Sequence, residues 1–293
     1  TLNTARKISR EILSENDLLI VDECHKAASK ENSKAILSSK SYHSLGLSAT
    51  PERQYDEGFE QILIPRLGPI IIDYSYSKAK KDGVICDFEL HNVRVRLTDE
   101  EQEKYEILTK KIAAVLQNLG TESPEYLSLC VKRREISNFS HLRLPIVCDM
   151  ISKTAAKKSI IFHESIDSAE KIAQLLNNQK HYALCYHSRL SDAVRRDNLI
   201  KFKTGSCDVL ITCRALDEGA NIPEAELGII AASTKSERQR IQRLGRVLRK
   251  SSGKEAALVC TLYSTEDEQE LLLQESEKLE GLAEVKWLEA RLS

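Results

Sequence analysis

Between residues 155 and 265 five short apolar runs occur, and three of the stretches between them have the spacing or length of a helix. The runs cover 159–163, 182–187, 208–213, 227–232 and 256–262, and helices fit between them at 165–177, 191–204 and 236–248. Short apolar strands that alternate with helices are joined in parallel, because each crossover returns the chain to the same end of the sheet. Near-continuous apolar runs, rather than alternating ones, are the mark of strands covered on both faces. This part of the chain is therefore expected to fold as a complete doubly wound α/β sheet.

The first 76 residues carry a shorter version of the pattern. Helices are expected at 4–14 and 30–39, and strands at 18–21, 43–48 and 70–72. The run Leu18-Leu19-Ile20-Val21 ends in Asp22-Glu23-Cys24-His25. Carboxylates at the C-terminal tip of a parallel strand stand where open α/β sheets bind ligands. An Asp-Glu pair there suits nucleotide hydrolysis: Asp22 can hold Mg²⁺ through water, and Glu23 can orient and deprotonate the attacking water. The strand at 43–48 runs into Ser48-Ala49-Thr50-Pro51, whose two hydroxyls could hydrogen-bond the acidic pair. With three strands where the second sheet has five, these residues read as the later half of a domain.

Residues 77–153 break the alternation. The stretch 88–97 alternates apolar and polar residues and reads as an exposed strand or extended connection. Thr98-Asp99-Glu100-Glu101 is a strong helix start. Apolar residues then recur at helical spacing, and a second helical stretch spans 124–152. The expected organisation is a half-domain at 1–76, a helical connector at 77–153, a second domain at 154–265 and a charged C-terminal helix at 266–293.

Composition narrows the class. Charged residues are 30% of the chain but sum to a net charge of −1. A uniformly basic nucleic-acid coat is thereby excluded, whereas a local basic groove is not. The eight cysteines include no C-x-x-C pair and no zinc spacing, which fits reduced thiols in the cytoplasm. No apolar stretch is long enough to cross a membrane. The first residue is Thr1 rather than Met, and the expectation is a chain that starts inside a longer protein.

Two further segments carry chemistry. The strand at 208–213 delivers Thr212 to its C-terminal edge. In the loop that follows, Gly219 allows close backbone approach, and Glu218 and Asn221 can contact nucleotide or neighbouring side chains. In Gln242-Arg243-Leu244-Gly245-Arg246-Val247-Leu248-Arg249, helical geometry puts Gln242, Arg246 and Arg249 along one face. Two guanidiniums on one face can meet phosphate oxygens and stabilise the charge of phosphoryl transfer. Gly245 in mid-helix costs about 1 kcal/mol relative to Ala, which favours a close-approach site over a decorative helix.

In this order the motifs resemble those of superfamily 2 helicases over roughly residues 1–265. Asp22-Glu23-Cys24-His25 is similar to motif II, Ser48-Ala49-Thr50 to motif III and Ile160-Ile161-Phe162-His163 to motif IV. Residues 212–223 resemble motif V, with Asn221 where Asp is usual, and 242–249 resemble motif VI. The wording is most similar to XPB-like repair helicases, bacterial and phage-defence relatives and restriction-enzyme translocating subunits.

The resemblance implies two tandem RecA-like domains, the first incomplete, with ATP and Mg²⁺ held between them. Asp22 would bind the metal and Glu23 activate water, while Arg246 and Arg249 reach the γ-phosphate. His25 would couple to Gln242, and Gly219 and Asn221 would join the nucleotide site. Ser48, Ala49 and Thr50 would link hydrolysis to nucleic-acid grip. Thr212, His187 and Ser188 would touch the nucleic-acid backbone, DNA in preference to RNA, with further protein partners in a repair or defence complex.

No G-x-x-x-x-G-K-[ST] loop occurs in these residues. Without that phosphate cradle the chain alone is expected to be inactive as an ATPase. The competing reading is a non-enzymatic helicase-like scaffold, although such a scaffold has no use for Glu23 facing two arginines. Trp287 is expected to cap a core rather than stack on a base, and Lys132, Arg133 and Arg134 are as consistent with a solvated helix face as with a DNA grip.

Overall fold

The computed structural model describes residues 4–5, 18–51, 57–213, 224–232, 245, 247–250, 254 and 256–291. The chain divides into two compact units, Thr1–Tyr74 and Ser75–Ser293. In the first, strands β1 (Leu18–Asp22) and β2 (His43–Leu47) pair in parallel, with Asp22 beside Leu47. A 3-10 turn, Cys24–Ala28, and helix α1, Ser33–Leu37, make the crossover. Val21, Cys24, Ala27, Ala28, Ile36 and Leu63 form its small core.

The expected strand at 70–72 is not formed. Ile70, Ile71 and Ile72 run extended outside any ladder and are 55%, 76% and 71% exposed. Three consecutive β-branched residues favour a strand, but a strand also needs a pairing edge. The described sheet of this unit has two strands. Helix α2, Ile64–Leu67, precedes that segment.

The second unit is built on a seven-stranded sheet whose paired strands all run parallel. Its strands are β3 (Asp87–Arg94), β4 (Ser159–His163), β5 (Ala183–Tyr186), β6 (Val209–Cys213), β7 (Leu227–Ile230), β8 (Ala256–Tyr263) and β9 (Glu284–Glu289), ordered β5-β6-β4-β7-β8-β3-β9. All five expected strands are present. Those of β4, β6 and β7 are buried along their whole length, which is why they read as unbroken apolar runs. One face packs Phe88, Ile160, Phe162 and Leu210, and the other packs Val93, Ile161, Ile211 and Leu262.

Two strands depart from expectation. The stretch read as an exposed strand or connection contains β3, which lies inside the sheet between β8 and β9. Its alternation suggested one wet face. In the structure Phe88 and Leu90 enter one core layer, and Val93 with the following Val95 enters the other. The tail is a helix only from Glu266 to Lys278; the chain then turns at Gly281, at φ +75°, and adds β9 at the sheet edge. Trp287 of β9 meets Tyr263 edge to face at 5.7 Å, a packing role.

The remaining helices are α3 (Tyr76–Lys81), α4 (Asp99–Leu119), α5 (Pro124–Asn138), α6 (Arg143–Lys153), α7 (Ile166–Asn178), α8 (Asp192–Thr204) and α9 (Glu266–Lys278). The stretch expected as one helix over 124–152 is two, α5 and α6. The break is held by Glu101, which accepts from Ser140 Oγ at 3.0 Å and from His141 N at 2.9 Å. Glu101 also closes a capping box with Thr98, so one carboxylate starts α4 and spaces α5 from α6. Ser123, Ser165 and Ser191 cap α5, α7 and α8, each accepting one backbone N–H at its side-chain oxygen. Most of the expected helices at 236–248 and 4–14 lie outside the described residues. All eight cysteines are free, and burial pushes the thiols of Cys185 and Cys260 up to about 12, which leaves them unreactive. No described helix is long and apolar enough to cross a membrane.

Candidate functional site

In the first unit the strand register brings the acidic pair to the hydroxyl loop. Asp22 pairs with Leu47, so Glu23 and Ser48 leave the sheet side by side. Asp22 is exposed at the strand tip, and its Oδ1 accepts from the Glu23 N–H at 2.9 Å. Glu23 takes a left-handed backbone conformation, φ 50° and ψ 47°, which few residues with a side chain adopt. That bend turns its carboxylate toward His25, whose Nδ1 lies 3.3 Å from Glu23 Oε2 and 2.9 Å from Ser48 Oγ. Ser48 Oγ in turn accepts from Thr50 N at 3.2 Å.

The expected link between acidic pair and hydroxyl loop thus runs through the buried His25. Among the described residues no cluster of three or more His, Cys, Asp or Glu side chains could hold a metal ion. A single exposed carboxylate fits Mg²⁺ only when substrate phosphates and water complete the shell, which is how Mg²⁺ is commonly bound.

A left-handed backbone at a residue with a side chain carries a steric cost that glycine does not. Glu23→Gly should therefore be the more stable of two substitutions at that position. Glu23→Ala keeps the left-handed backbone and should lie about 1 kcal/mol lower. Thermal melts of the two variants compare them directly, and equal midpoints would show that the bend stores no strain.

In the second unit the C-terminal ends of β4, β5 and β6 form one edge. Thr212 pairs with both Phe162 and Tyr186, and His163 with Cys213. Thr212 is 2% exposed and its Oγ1 has no hydrogen-bond partner among the described residues. His187, the residue after β5, is 1% exposed, with Nε2 at 3.3 Å from Glu170 Oε1 of α7. Burial holds its imidazole below the ordinary value, opposed by Glu170 and assisted by Arg189. Ser188 is exposed. Of the three residues expected at a nucleic-acid backbone, Ser188 is open to contact, whereas His187 and Thr212 face inward.

Arg249 is exposed, and its backbone is strapped in place. It bridges Ile85 antiparallel, Cys86 N donates to Leu248 O at 2.9 Å and Lys250 N donates to Val84 O at 3.1 Å. The buried Lys254 Nζ donates to Val247 O, and to Arg249 O at 3.2 Å. Burial pushes the Lys254 ammonium below its ordinary value, with Cys86, Glu224 and Glu226 acting the other way. Gln242, Arg246, Gly219 and Asn221 lie outside the described residues. A Cβ at Gly245 would meet nothing within 4 Å among the described residues, which corrects the expectation that this glycine marks a close approach. The close approach is at Gly228, where a Cβ would lie 2.6 Å from Val247 Cγ2.

Sequence reasoning missed three cations that the structure makes prominent: Lys254, Arg189 and Arg143. Arg143 is fully buried and donates to Ala231 O, Leu262 O, Ser264 Oγ and both Glu268 oxygens. Its signal was available: a lone arginine among Leu142, Leu144 and Ile146 at the start of an apolar helix.

The geometry has counterparts in known proteins. The family model for the helicase conserved C-terminal domain matches residues 143–251, and that for the type III restriction enzyme, res subunit, matches residues 1–53. The chain is 29% identical over 287 residues to the DNA 3'-5' translocase XPB2 of Sulfurisphaera tokodaii, a match that covers 88% of this chain and 61% of that protein. The chain thus spans about three fifths of that relative's length. Its fold is similar to that of S. cerevisiae Dbp5 bound to RNA and ADP BeF3, with a TM-score of 0.59 at 15% identity, covering 99% of this chain and 64% of that one. It is also similar to the ATP-dependent Type ISP restriction-modification enzyme LlaBIII bound to DNA, with a TM-score of 0.64 at 15% identity, covering 100% of this chain and 23% of that one.

Proposed function

We propose that this chain, a superfamily 2 helicase related to XPB and to restriction enzymes, is the part of an ATP-dependent DNA helicase or translocase that senses and completes nucleotide hydrolysis. The observation that carries the reading is the contact series in which His25 Nδ1 lies 3.3 Å from Glu23 Oε2 and hydrogen-bonds Ser48 Oγ, which accepts from Thr50 N. It joins a water-activating carboxylate to a loop at the next strand tip, which is the wiring a motor needs between chemistry and grip.

In this reading Asp22 holds Mg²⁺ through water, and the ion supplies neutralisation of the phosphate oxygens. Glu23 orients the attacking water and takes its proton. Arg246 and Arg249 stabilise the charge that develops on the γ-phosphate, and Gln242 reports to His25. The strap on the Arg249 backbone supports this role, because it fixes the point from which the guanidinium reaches. Gly219 and Asn221 complete the nucleotide site. Ser188 meets the nucleic-acid backbone, with Thr212 and His187 shaping the edge behind it. DNA is the preferred strand, in keeping with the name of the XPB2 relative.

The chain lacks the phosphate-binding loop, so the purified 293-residue chain should bind single-stranded DNA but show no DNA-stimulated ATP turnover. Fluorescence anisotropy with matched DNA and RNA oligonucleotides, beside a phosphate-release assay, tests both parts. DNA-stimulated hydrolysis would refute the predicted inactivity. Tighter binding to RNA would overturn the choice of DNA, and the absence of any nucleic-acid binding would leave the scaffold reading in its place.

A further inference from the structure

The turn after β5 is tied to helix α7 by two contacts of different character. His187 is 1% exposed and sits against Glu170, so it is a fixed post. Two residues on, the Arg189 guanidinium is 58% exposed and pairs with Asp167 at 2.5 Å, itself 68% exposed. Asp167 and Glu170 are one helical turn apart and present both carboxylates to the same turn. Between the two tied residues stands Ser188, exposed at the C-terminal edge of the sheet. The Leu190 N–H donates to His187 O at 3.2 Å, which keeps the turn closed.

We propose that Arg189 is a phosphate-binding residue for nucleic acid, held on Asp167 in the free chain and transferred to a backbone phosphate when a strand crosses Ser188. This rests on the nucleic-acid reading above. An exposed ion pair is worth little in water, so releasing it costs little. A phosphate offers the guanidinium the same forked acceptor geometry as a carboxylate and brings counterion release with it. His187 keeps the turn in place while its neighbour changes partner. Asp167 then acts as a restraint that weakens binding and makes it more selective for a correctly placed phosphate.

The test is a double-mutant cycle on the full 293-residue chain, with a fluorescein-labelled oligothymidylate titrated at several salt concentrations. Asp167→Asn should tighten binding about two- to fivefold, the range an exposed pair can contribute. Arg189→Gln should weaken binding and reduce the steepness of log K against log salt by about 0.7, the share of one single-strand phosphate contact. In the Arg189→Gln background, Asp167→Asn should gain less than about twofold, because there is no longer an arginine to release. Both side chains are exposed, so melting midpoints should stay unchanged and serve as the folding control.

An equal gain from Asp167→Asn in both backgrounds would mean simple charge removal and would overturn the proposal. So would an unchanged salt slope in Arg189→Gln. Failure of all four proteins to bind would instead overturn the nucleic-acid reading, and this proposal with it.

Discussion

Arg143→Ala will lower the unfolding free energy of the second unit by about 3–5 kcal/mol, the cost of breaking a buried ion pair from one side. Arg143 is 0% exposed and Glu268 7%. Their contact at 2.9 Å is only part of the loss. The guanidinium also satisfies the carbonyls of Ala231 and Leu262, where the chain leaves β7 and β8. Alanine leaves two carbonyls and a carboxylate without their cation in a buried site. Glu268 retains the N–H groups of Ser264 and Thr265, which keeps α9 capped.

Urea denaturation followed by circular dichroism measures the difference. A shift below about 1 kcal/mol would mean that the pair is incidental, as surface pairs are. The effect should reach function as well, because Ala231 leads directly toward the segment that carries Gln242. A double variant, Arg143→Met with Glu268→Leu, should recover only part of the stability: it removes the buried charges, but it leaves the Ala231 and Leu262 carbonyls and the Ser264 and Thr265 N–H groups without these partners.

The second large effect is expected at Gly228. This residue lies in β7, which pairs with both β4 and β8. A Cβ there would lie 2.6 Å from Val247 Cγ2 and 3.2 Å from Cγ1. Val247 is 1% exposed and β-branched, so it has neither space nor an easy rotamer to move into. Gly228→Ala should cost about 1–3 kcal/mol by overpacking.

The displacement cannot stay local. Val247 O is a ligand of the buried Lys254 Nζ, and Leu248 O receives the Cys86 N–H, so pressure on Val247 acts on the mount of Arg249. Val247→Ala in the Gly228→Ala background should restore more than half of the lost stability, because it removes the clashing methyls. Additive losses in that double variant would show that the clash is relieved elsewhere.

Much of the fold was legible because it depends on burial averaged along a strand. The five runs from 159 to 262 could be read as parallel strands since each is covered on both faces, and no single contact decides that. The helix start at Thr98 was legible for a related reason: a cap satisfies backbone groups within three residues of itself. The errors arose where a strand's fate depends on a distant partner. Ile70, Ile71 and Ile72 have strand composition and no pairing edge among the described residues. The β3 stretch has the alternation of a half-exposed strand, yet two layers of the second unit close over it. Strand β9 follows a turn at Gly281 that a charged tail did not announce.

The candidate site divides along the same line. The amino-acid order alone determined which chemical groups are present: the Asp22-Glu23 pair after a buried run, the Ser48-Ala49-Thr50 loop, the arginine-bearing segment and the missing phosphate loop. These are covalent facts or properties of adjacent residues, and local physics is enough to read them. Only the tertiary structure decided how they are wired. Parallel register between β1 and β2 placed His25 between Glu23 and Ser48. Burial turned His187 and Thr212 inward and left Ser188 and Arg189 at the surface. Strand ends more than 80 residues from Arg143 in the chain made it a hub. Hydrogen bonds across such separations exist only after the sheet has brought their ends together, and no window of sequence contains both partners.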